Sequence, residues 1–304
     1  MRRDTTSGAS IVDVSWIDWA RLHRPLQWTK NLIVLSALVF GGQADSIPHV
    51  VSALITVLAF VLVSSAGYIW NDWWDRERDR LHPEKRHRPI ASRQVDPSAA
   101  LFWAGGLLVT ASALSLLVSP ALLAIIAIYT LLTGTYTIYL KHVPVLDVVV
   151  IAVGFVLRAV AGAVAVDVSM SSWLLVCTLL LSLFLGYGKR RHEFITLGQR
   201  AALHRPALGL YSVRLLDGLI LTTAGLTLLA YTAYAATTAT VTTHWPMLLT
   251  VPIVLFAVGR YLVLIFRHNS GGSPEAILVR DLPLILAIGG WTLAMVAVLA
   301  FFQV

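Results

Sequence analysis

Along this chain polar and apolar positions separate into long blocks, with neither the strict alternation of a half-buried strand nor the one-sided stripe of a soluble helix. Apolar blocks long enough for one bilayer crossing each, which takes roughly 20 residues, fall at about 30 to 43, 48 to 70, 98 to 118, 120 to 140, 145 to 166, 172 to 187, 212 to 236, 246 to 266 and 282 to 302. The pattern predicts an all-α polytopic membrane protein with nine transmembrane helices. Between the blocks the chain turns quickly, and only the stretches at about 73 to 96 and about 188 to 211 are long and polar. Both follow even-numbered spans, so they predict a shared central cavity open on one face. Gly154, Ala159, Gly162 and Ala163 in the fifth span are small residues that let helices approach closely around such a cavity.

The positions of Lys and Arg test this count independently, because these residues collect on the cytoplasmic side. Arg2, Arg3, Arg21, Arg24 and Lys30 precede or open the first span, and Arg76 through Arg93 follow the second. Lys141 follows the fourth, Lys189 through Arg214 follow the sixth, and Arg260, Arg267 and Arg280 flank the loop after the eighth. The alternate turns, Gly41 to Ile47, Ser119-Pro120, Asp167 to Ser171 and Thr237 to His244, contain neither residue. The N-terminus is therefore expected in the cytoplasm, the C-terminus outside the cell membrane, and the cavity open to the cytoplasmic face.

Composition agrees. Of 304 residues 57% are hydrophobic and 13% charged, at a mean hydropathy of +0.76, more apolar surface than a soluble core of this length needs. A net charge of +7 would suggest nucleic acid in a soluble protein, but the membrane accounts for it here and no nucleic acid is expected. Cys177 stands alone within a span, which excludes a disulfide framework and a cysteine metal site. No apolar core follows Arg2-Arg3 before the polar run Asp4 to Ser10, so no cleavable signal is expected. Residues 12–23, with Trp16, Ile17 and Trp19 beside Asp13, Asp18 and Arg21, read as a short interfacial helix. Nothing marks a second soluble domain, and residues 1–304 are expected to form a single membrane domain.

The chemistry concentrates where the second span ends. There the chain reads Asn71-Asp72-Trp73-Trp74-Asp75-Arg76-Glu77-Arg78-Asp79, followed by Lys85-Arg86-His87-Arg88-Pro89-Ile90-Ala91-Ser92. If the helix runs on, Asp72, Asp75 and Asp79 fall at i, i+3 and i+7, on one face. Hard carboxylate oxygens, with Asn71 adding a neutral one, suit Mg²⁺, while Lys and Arg suit phosphates. The plain alternative, a solvated charged face, does not call for that spacing. No Cys or His lies where a softer metal would need it. Arg158 is deep in the fifth span, where a cation faces water or an anion, or else pairs with a buried acid. Asp147, three turns earlier, is too distant for a direct pair.

Asn-Asp-x-x-Asp-x-x-x-Asp after a second span, with a basic segment ending Arg-Pro-Ile-Ala-Ser, resembles the first aspartate motif of the UbiA superfamily of intramembrane prenyltransferases. Supporting segments are Arg24-Pro25-Leu26-Gln27-Trp28-Thr29-Lys30-Asn31, Tyr139-Leu140-Lys141-His142, Leu157-Arg158-Ala159-Val160-Ala161-Gly162, Gly188-Lys189-Arg190-Arg191-His192-Glu193, and Gly272-Ser273-Pro274-Glu275 with Arg280-Asp281. The likeness covers nearly the whole chain and leans toward the branch that transfers phosphoribose to decaprenyl phosphate. Two departures separate the chain from the prenyl-diphosphate enzymes. Those carry a second Asp-x-x-x-Asp after the sixth span, where this chain has Lys189-Arg190-Arg191-His192-Glu193. Their Tyr-x-x-x-Lys is also altered, Tyr136 and Lys141 being five apart and Tyr139 and Lys141 two apart. Cations in place of carboxylates suit a donor with an extra phosphate.

The resemblance thus implies an enzyme, a Mg²⁺-dependent pentosyltransferase that moves 5-phosphoribose from phosphoribosyl diphosphate to a polyprenyl phosphate, in the supply of cell-wall arabinan precursors. Asp72, Asp75 and Asp79 would be catalytic through the metal they hold with Asn71. Lys30, Lys85, Arg88, Lys141, Arg158, Lys189 and Arg190 would bind phosphates, Tyr68 a phosphate or ribose oxygen, and Glu193 ribose or the metal. Each keeps an ordinary reading: positive-inside topology or headgroup contact for the span-end cations, an aromatic belt for Tyr68, a helix-end ion pair for Glu193. Glu275 and Asp281 are read as structural, and His142 and His192 as too isolated to form a ligand pair. A second enzyme reading is an aromatic prenyltransferase of the same superfamily with a prenyl diphosphate donor, against which the missing second acidic pair speaks. A transporter or scaffold that only binds polyprenyl phosphate would not require the carboxylate ladder. A homo-oligomer is compatible with all three.

Overall fold

A computed structural model describes residues 16–82, 85–169, 171–198, 206–237, 245–269, 271–272 and 274–302. Among these residues every regular element is helical. In chain order they are α1 (Trp16–Leu22), the 3₁₀ segment η1 (Pro25–Leu35), α2 (Ser36–Phe40), α3 (Ile47–Trp74), α4 (Arg76–Arg80), η2 (Lys85–His87), α5 (Pro97–Val118), α6 (Pro120–Ile138), η3 (Leu140–His142), α7 (Leu146–Ala165) and α8 (Ser172–Leu197). There follow η4 (Pro206–Leu210), α9 (Val213–Thr237), α10 (Trp245–Leu248), α11 (Val251–His268), α12 (Pro274–Arg280) and α13 (Leu282–Phe302). Eight helical stretches among the described residues are long and apolar enough to cross a membrane: α3, α5, α6, α7, α8, α9, Trp245–His268 and α13. They fall on the second to ninth predicted blocks. Local chemistry sets several starts. Pro97 and Pro120 occupy first turns, where no amide donor is needed, while the Asp96 carboxylate accepts from the Ser98 and Ala99 amides and Ser119 Oγ from that of Leu122.

The first predicted span is not a continuous α-helix. Its chain forms η1 and then the short α2, and turns at Gly41-Gly42, where Gly42 takes a φ of 66°. A 3₁₀ run of this length is uncommon, because its hydrogen bonds are poorer than those of an α-helix. Here Pro25 removes a donor at the first turn, and the only two buried residues of the segment, Asn31 and Val34, are three apart and eclipse on one face. With a rise of about 2.0 Å per residue in η1 and about 1.5 Å in α2, the two together reach about 30 Å, the thickness of a hydrocarbon core. The expected interfacial helix is seen as α1 from Trp16; residues 12–15, Arg2, Arg3, the turn at 238–244 and Arg205 lie outside the described residues.

Two apolar cores flank α7, the most buried of the eight stretches. One gathers Val34, Phe60, Val63, Ala111, Leu122, Ile126, Tyr129 and Ala161, and so joins η1, α3, α5 and α6 to α7. The other gathers Val148, Phe184, Tyr187, Leu216, Ile220, Tyr261 and Ile265, and joins α8, α9 and α11 to the start of the same helix. Lipid tails are as apolar as these side chains, so close van der Waals fit rather than water exclusion holds such cores. Small residues supply that fit. Gly162 is the tightest case, because a Cβ there would overlap the Val34 carbonyl of η1. Trp70, Trp73 and Trp74 cluster around the end of α3, with the Arg76 guanidinium 4.6 Å from the Trp73 ring. This is the amphipathic dress of a bilayer–water boundary.

Candidate active site

The long helix α3 delivers the carboxylate ladder to the charged end of the bundle. Its α-helical run stops at Trp74 and resumes as α4, with Asp75 at the junction at φ −90° and ψ 1°. The helix is therefore locally broken rather than continuous. Its hydrogen bonding nevertheless carries through, the Asp75 amide donating to the Asn71 carbonyl at 3.0 Å and the Asp79 amide to that of Asp75 at 2.8 Å. Asp72 and Asp79 both reach Arg88, whereas Asp75 turns to Lys141.

Each of the three carboxylates meets a cation. Arg24 Nη2 lies 2.5 Å from Asp72 Oδ1, and Arg88 Nη1 bridges Asp72 Oδ1 at 2.9 Å and Asp79 Oδ2 at 2.7 Å. Lys141 Nζ lies 2.7 and 2.6 Å from the two oxygens of Asp75. Asp72 is 3% and Asp79 4% exposed, so the cavity expected to open here is bridged by ion pairs instead. Opposite charges this close attract by several kcal/mol at an effective dielectric of about 20, and they turn toward one another. Burial pushes the Asp79 carboxyl above the usual carboxylate range, against the pull of Arg88 and Lys85. Arg24 holds a left-handed backbone, φ 49° and ψ 64°, immediately before Pro25, a conformation that costs about 1–3 kcal/mol in a non-glycine residue and persists where surrounding contacts impose it. Its guanidinium also stands 5.0 Å from the Tyr68 ring.

The arrangement bears on metal binding in two ways. A single guanidinium nitrogen already draws Asp72 and Asp79 onto one cationic centre, and the donors are all hard oxygens, which fits Mg²⁺ or Mn²⁺. Among the described residues, however, no three acidic or imidazole side chains gather as a ready-made cage, because Asp75 is turned to Lys141. The expected convergence of all three on one ion therefore requires Lys141 and Arg88 to give way.

A second charged centre lies at the junction of α7, α8 and η4. Asp147, at the first turn of α7 and fully buried, accepts from Arg190 Nε at 2.6 Å and from the Tyr211 hydroxyl at 2.8 Å. Arg190 Nη1 also donates to Glu193 Oε2 at 2.6 Å. Burial beside Asp147 drives the Tyr211 phenol well above its ordinary range, which keeps it a donor. The cation that the sequence offers for phosphate is thus bonded to two carboxylates, and the helix-end ion pair foreseen for Glu193 is the contact it makes. Lys189 precedes it, half-buried. The next residue, Arg191, pairs with Asp217 at 2.6 Å and lies 4.8 Å from the Phe266 ring. These pairings let α8 run ten residues beyond its apolar block, to Leu197.

Arg158 is buried in the middle of α7 and bonds to neutral groups. Nε donates to Asn31 Oδ1 at 2.7 Å, Nη1 to the Gly154 carbonyl at 2.8 Å and Nη2 to the Tyr129 hydroxyl at 2.7 Å. Neither an anion nor the buried acid considered from sequence supplies these contacts. Tyr68 and Lys30 lie within electrostatic reach of the same Tyr129, and Lys85 of Asp79. The structure therefore brings Asp72, Asp75, Asp79, Lys85, Arg88 and Lys141 together, puts Tyr68 and Lys30 within electrostatic reach of Tyr129, and sets Arg190 and Glu193 in the second centre, with Lys189 next to Arg190 in sequence. Arg24, which the sequence presents as a topology cation and part of the segment up to Asn31, contacts the ladder although no site role is read for it from sequence. Its signal was an arginine before Pro25, 48 residues from its partner. Asp281, read from sequence as structural, pairs with Arg260 at 2.7 Å, whereas the Glu275 side chain lies outside what is described. His192 Nδ1 bonds the Asn269 carbonyl.

Comparison with known proteins gives a consistent picture. The UbiA prenyltransferase family model matches residues 32–282. A decaprenyl-phosphate phosphoribosyltransferase of Corynebacterium glutamicum is 32% identical over 281 residues, covering 90% of this chain and 84% of that one. The enzyme of the same name from Mycobacterium tuberculosis is 32% identical over 282 residues, 91% of this chain and 93% of its own. Among solved structures, a UbiA homologue from Archaeoglobus fulgidus bound to GPP and Mg²⁺ superimposes with a TM-score of 0.69 at 18% identity, over 93% of this chain and 99% of that one. A digeranylgeranylglyceryl phosphate synthase superimposes with a TM-score of 0.67 at 16% identity, over 93% and 98%. At such identities these two establish the fold.

Proposed function

The chain belongs to the UbiA prenyltransferase family, a membrane-embedded enzyme family, and from that premise we propose that it transfers 5-phosphoribose from phosphoribosyl diphosphate to a polyprenyl phosphate of the decaprenyl type, with release of diphosphate. The observation that carries this reading is the excess of cations around the ladder: Arg24, Arg88 and Lys141 contact three carboxylates, with Lys85 close by. The identity of about a third with two phosphoribosyltransferases across nearly the whole chain supports it. A donor with a diphosphate and a 5-phosphate needs more cationic partners than a prenyl diphosphate does.

In this reading Asn71, Asp72, Asp75 and Asp79 would hold Mg²⁺, which would supply charge neutralisation for the diphosphate. Arg24, Lys85, Arg88 and Lys141, freed from the carboxylates, bind and orient donor phosphates. The acceptor phosphate is anionic at neutral pH and needs no protein nucleophile. Its oxygen attacks ribose C1 from the face opposite the diphosphate, the C1–O bond to diphosphate breaks, and the anomeric centre inverts. The polyprenyl chain lies between helices, in an apolar environment. On this reading η1 with α2 would be the first of nine crossings, and the charged end would face the cytoplasm, where a soluble sugar donor is available.

The test is to incubate purified protein with labelled phosphoribosyl diphosphate, Mg²⁺ and polyprenyl phosphate, and to extract the lipid. Label should enter the lipid phase, and Asp72→Asn or Asp75→Asn, which remove charge but keep size, should abolish this while leaving the protein folded. Transfer of a prenyl group from prenyl diphosphate to an aromatic acid, without phosphoribosyl transfer, would overturn the assignment within the family.

A further inference from the structure

The 3₁₀ geometry of η1 has a counterpart on α7. Asn31 and Val34, the two buried residues of η1, both meet that helix. Asn31 accepts from Arg158 Nε at 2.7 Å, and the Val34 carbonyl lies where a side chain on Gly162 would stand. Arg158 and Gly162 are four apart, one turn along a single face of α7. Arg158 is held rigidly for this contact, with Gly154 and Tyr129 taking its other two bonds and the rings of Tyr129, Phe155 and Phe60 at 4.7, 5.5 and 5.6 Å.

We infer that Arg158 and Gly162 are positioning residues that fix the register of η1, and through it place Arg24 on Asp72. The inference rests on the reading that Arg24 serves the donor phosphates. Geometry gives the size of the effect. Asn31 and Arg24 are seven residues apart. Relaxing that stretch from 3₁₀ to α geometry would change its rise by about 3.5 Å and its rotation by about 140°. Either change takes the Arg24 guanidinium off Asp72. Arg158 therefore acts on the site through η1 rather than by touching a phosphate.

The test uses the full-length protein in nanodiscs and the variants Arg158→Gln, Asn31→Ala, their double, Asn31→Asp and Gly162→Ala. Donor kcat/KM should fall at least tenfold in Arg158→Gln, Asn31→Ala and Gly162→Ala alike, although the last alters no charge. The double should be no more than about twofold worse than its worse single, as coupled residues acting through one contact are. Asn31→Asp, still an acceptor for Nε, should stay within threefold of wild type. A second readout does not need turnover. Spin labels at Leu26→Cys and Phe102→Cys, both exposed, on a Cys177→Ser background should report a single distance in the parent. Pulsed electron resonance should show that distance shifted by about 2–4 Å or broadened in Arg158→Gln and Gly162→Ala. If Arg158→Gln alone is impaired, with Asn31→Ala and Gly162→Ala normal in both rate and distance, the positioning role is wrong and Arg158 meets the ligand itself. If Arg158→Gln does not fold, Asn31→Ala and Gly162→Ala decide the matter. Should the labels move as expected while wild type transfers no phosphoribose, the inference about η1 stands and the proposed reaction fails.

Discussion

Lys141 touches both oxygens of Asp75, and in that position it competes for the ligand set a divalent ion would use. Removing it should separate two affinities that are otherwise linked. Lys141→Gln is expected to bind Mn²⁺ alone more tightly, by about tenfold, because a unit charge is withdrawn from a half-buried carboxylate. The same variant should bind phosphoribosyl diphosphate more weakly, by about 1.5–3 kcal/mol, the scale of a lost charge-assisted hydrogen bond. Electron resonance of Mn²⁺ and calorimetry with the donor check the two arms. Asp79 adds a pH dependence. Burial holds its carboxyl above the ordinary range, so on acidification it takes up a proton before an exposed carboxylate would, and the metal requires the anion. Mn²⁺ affinity should therefore decline from a higher pH than ordinary aspartates dictate, and Asp79→Asn, weaker throughout, should lose that step. The spacing of the ladder was legible because it is local, set by helical periodicity within eight residues. Its partners were not, since Arg24 and Lys141 lie 48 and 66 residues away and reach it only through the fold.

At the scale of elements, the pairing of Asp147 with Arg190 locks the start of α7 to α8. Both side chains are buried, so removing Asp147 leaves Arg190 with only the half-exposed Glu193 carboxylate and takes the acceptor from the Tyr211 hydroxyl. Asp147→Ala should destabilise the protein by about 3–5 kcal/mol, whereas Glu193→Gln, at the half-exposed end of the same cluster, should cost far less. Thermal unfolding in detergent, followed by helical circular dichroism, measures both. Helices whose limits coincide with the change from apolar to polar chemistry were legible: α5, α6, α7 and α13 begin and end within two residues of the predicted blocks. Where charged residues find partners inside the protein, as Arg190 and Arg191 do, hydropathy underestimates the helix. The 3₁₀ form of η1 was not legible, because it depends on the close approach of Gly162 and on a hydrogen bond from Arg158, both more than 120 residues away in sequence.

For the whole molecule, the two apolar cores on either side of α7 make this helix the common wall of the bundle, and the alternation of turns with and without Lys and Arg predicts its orientation. On a Cys177→Ser background, a cysteine replacing Asp45 should react with an impermeant thiol reagent from outside intact cells, and one replacing Gln94 should not. Reversed labelling would put the carboxylate ladder on the wrong side for a cytosolic donor. The family and its helical architecture were legible because both rest on motifs and hydropathy, whereas the closed, ion-paired state of the charged end depends on side chains that only the folded bundle brings together. The order in which those side chains are made matters too. Asn31 and Tyr129 precede Arg158 in the chain and are ready to receive it, but Arg190 is synthesised 43 residues after Asp147. At ribosomal speeds of about 5–20 residues per second, Asp147 waits about 2–9 s for its partner. During that interval α7 is expected to sit with its first turn held at the aqueous rim, and to settle fully only when the next helix leaves the translocon. A translational arrest peptide, moved stepwise along the nascent chain, should register this late inward pull, and Asp147→Leu should shift it earlier.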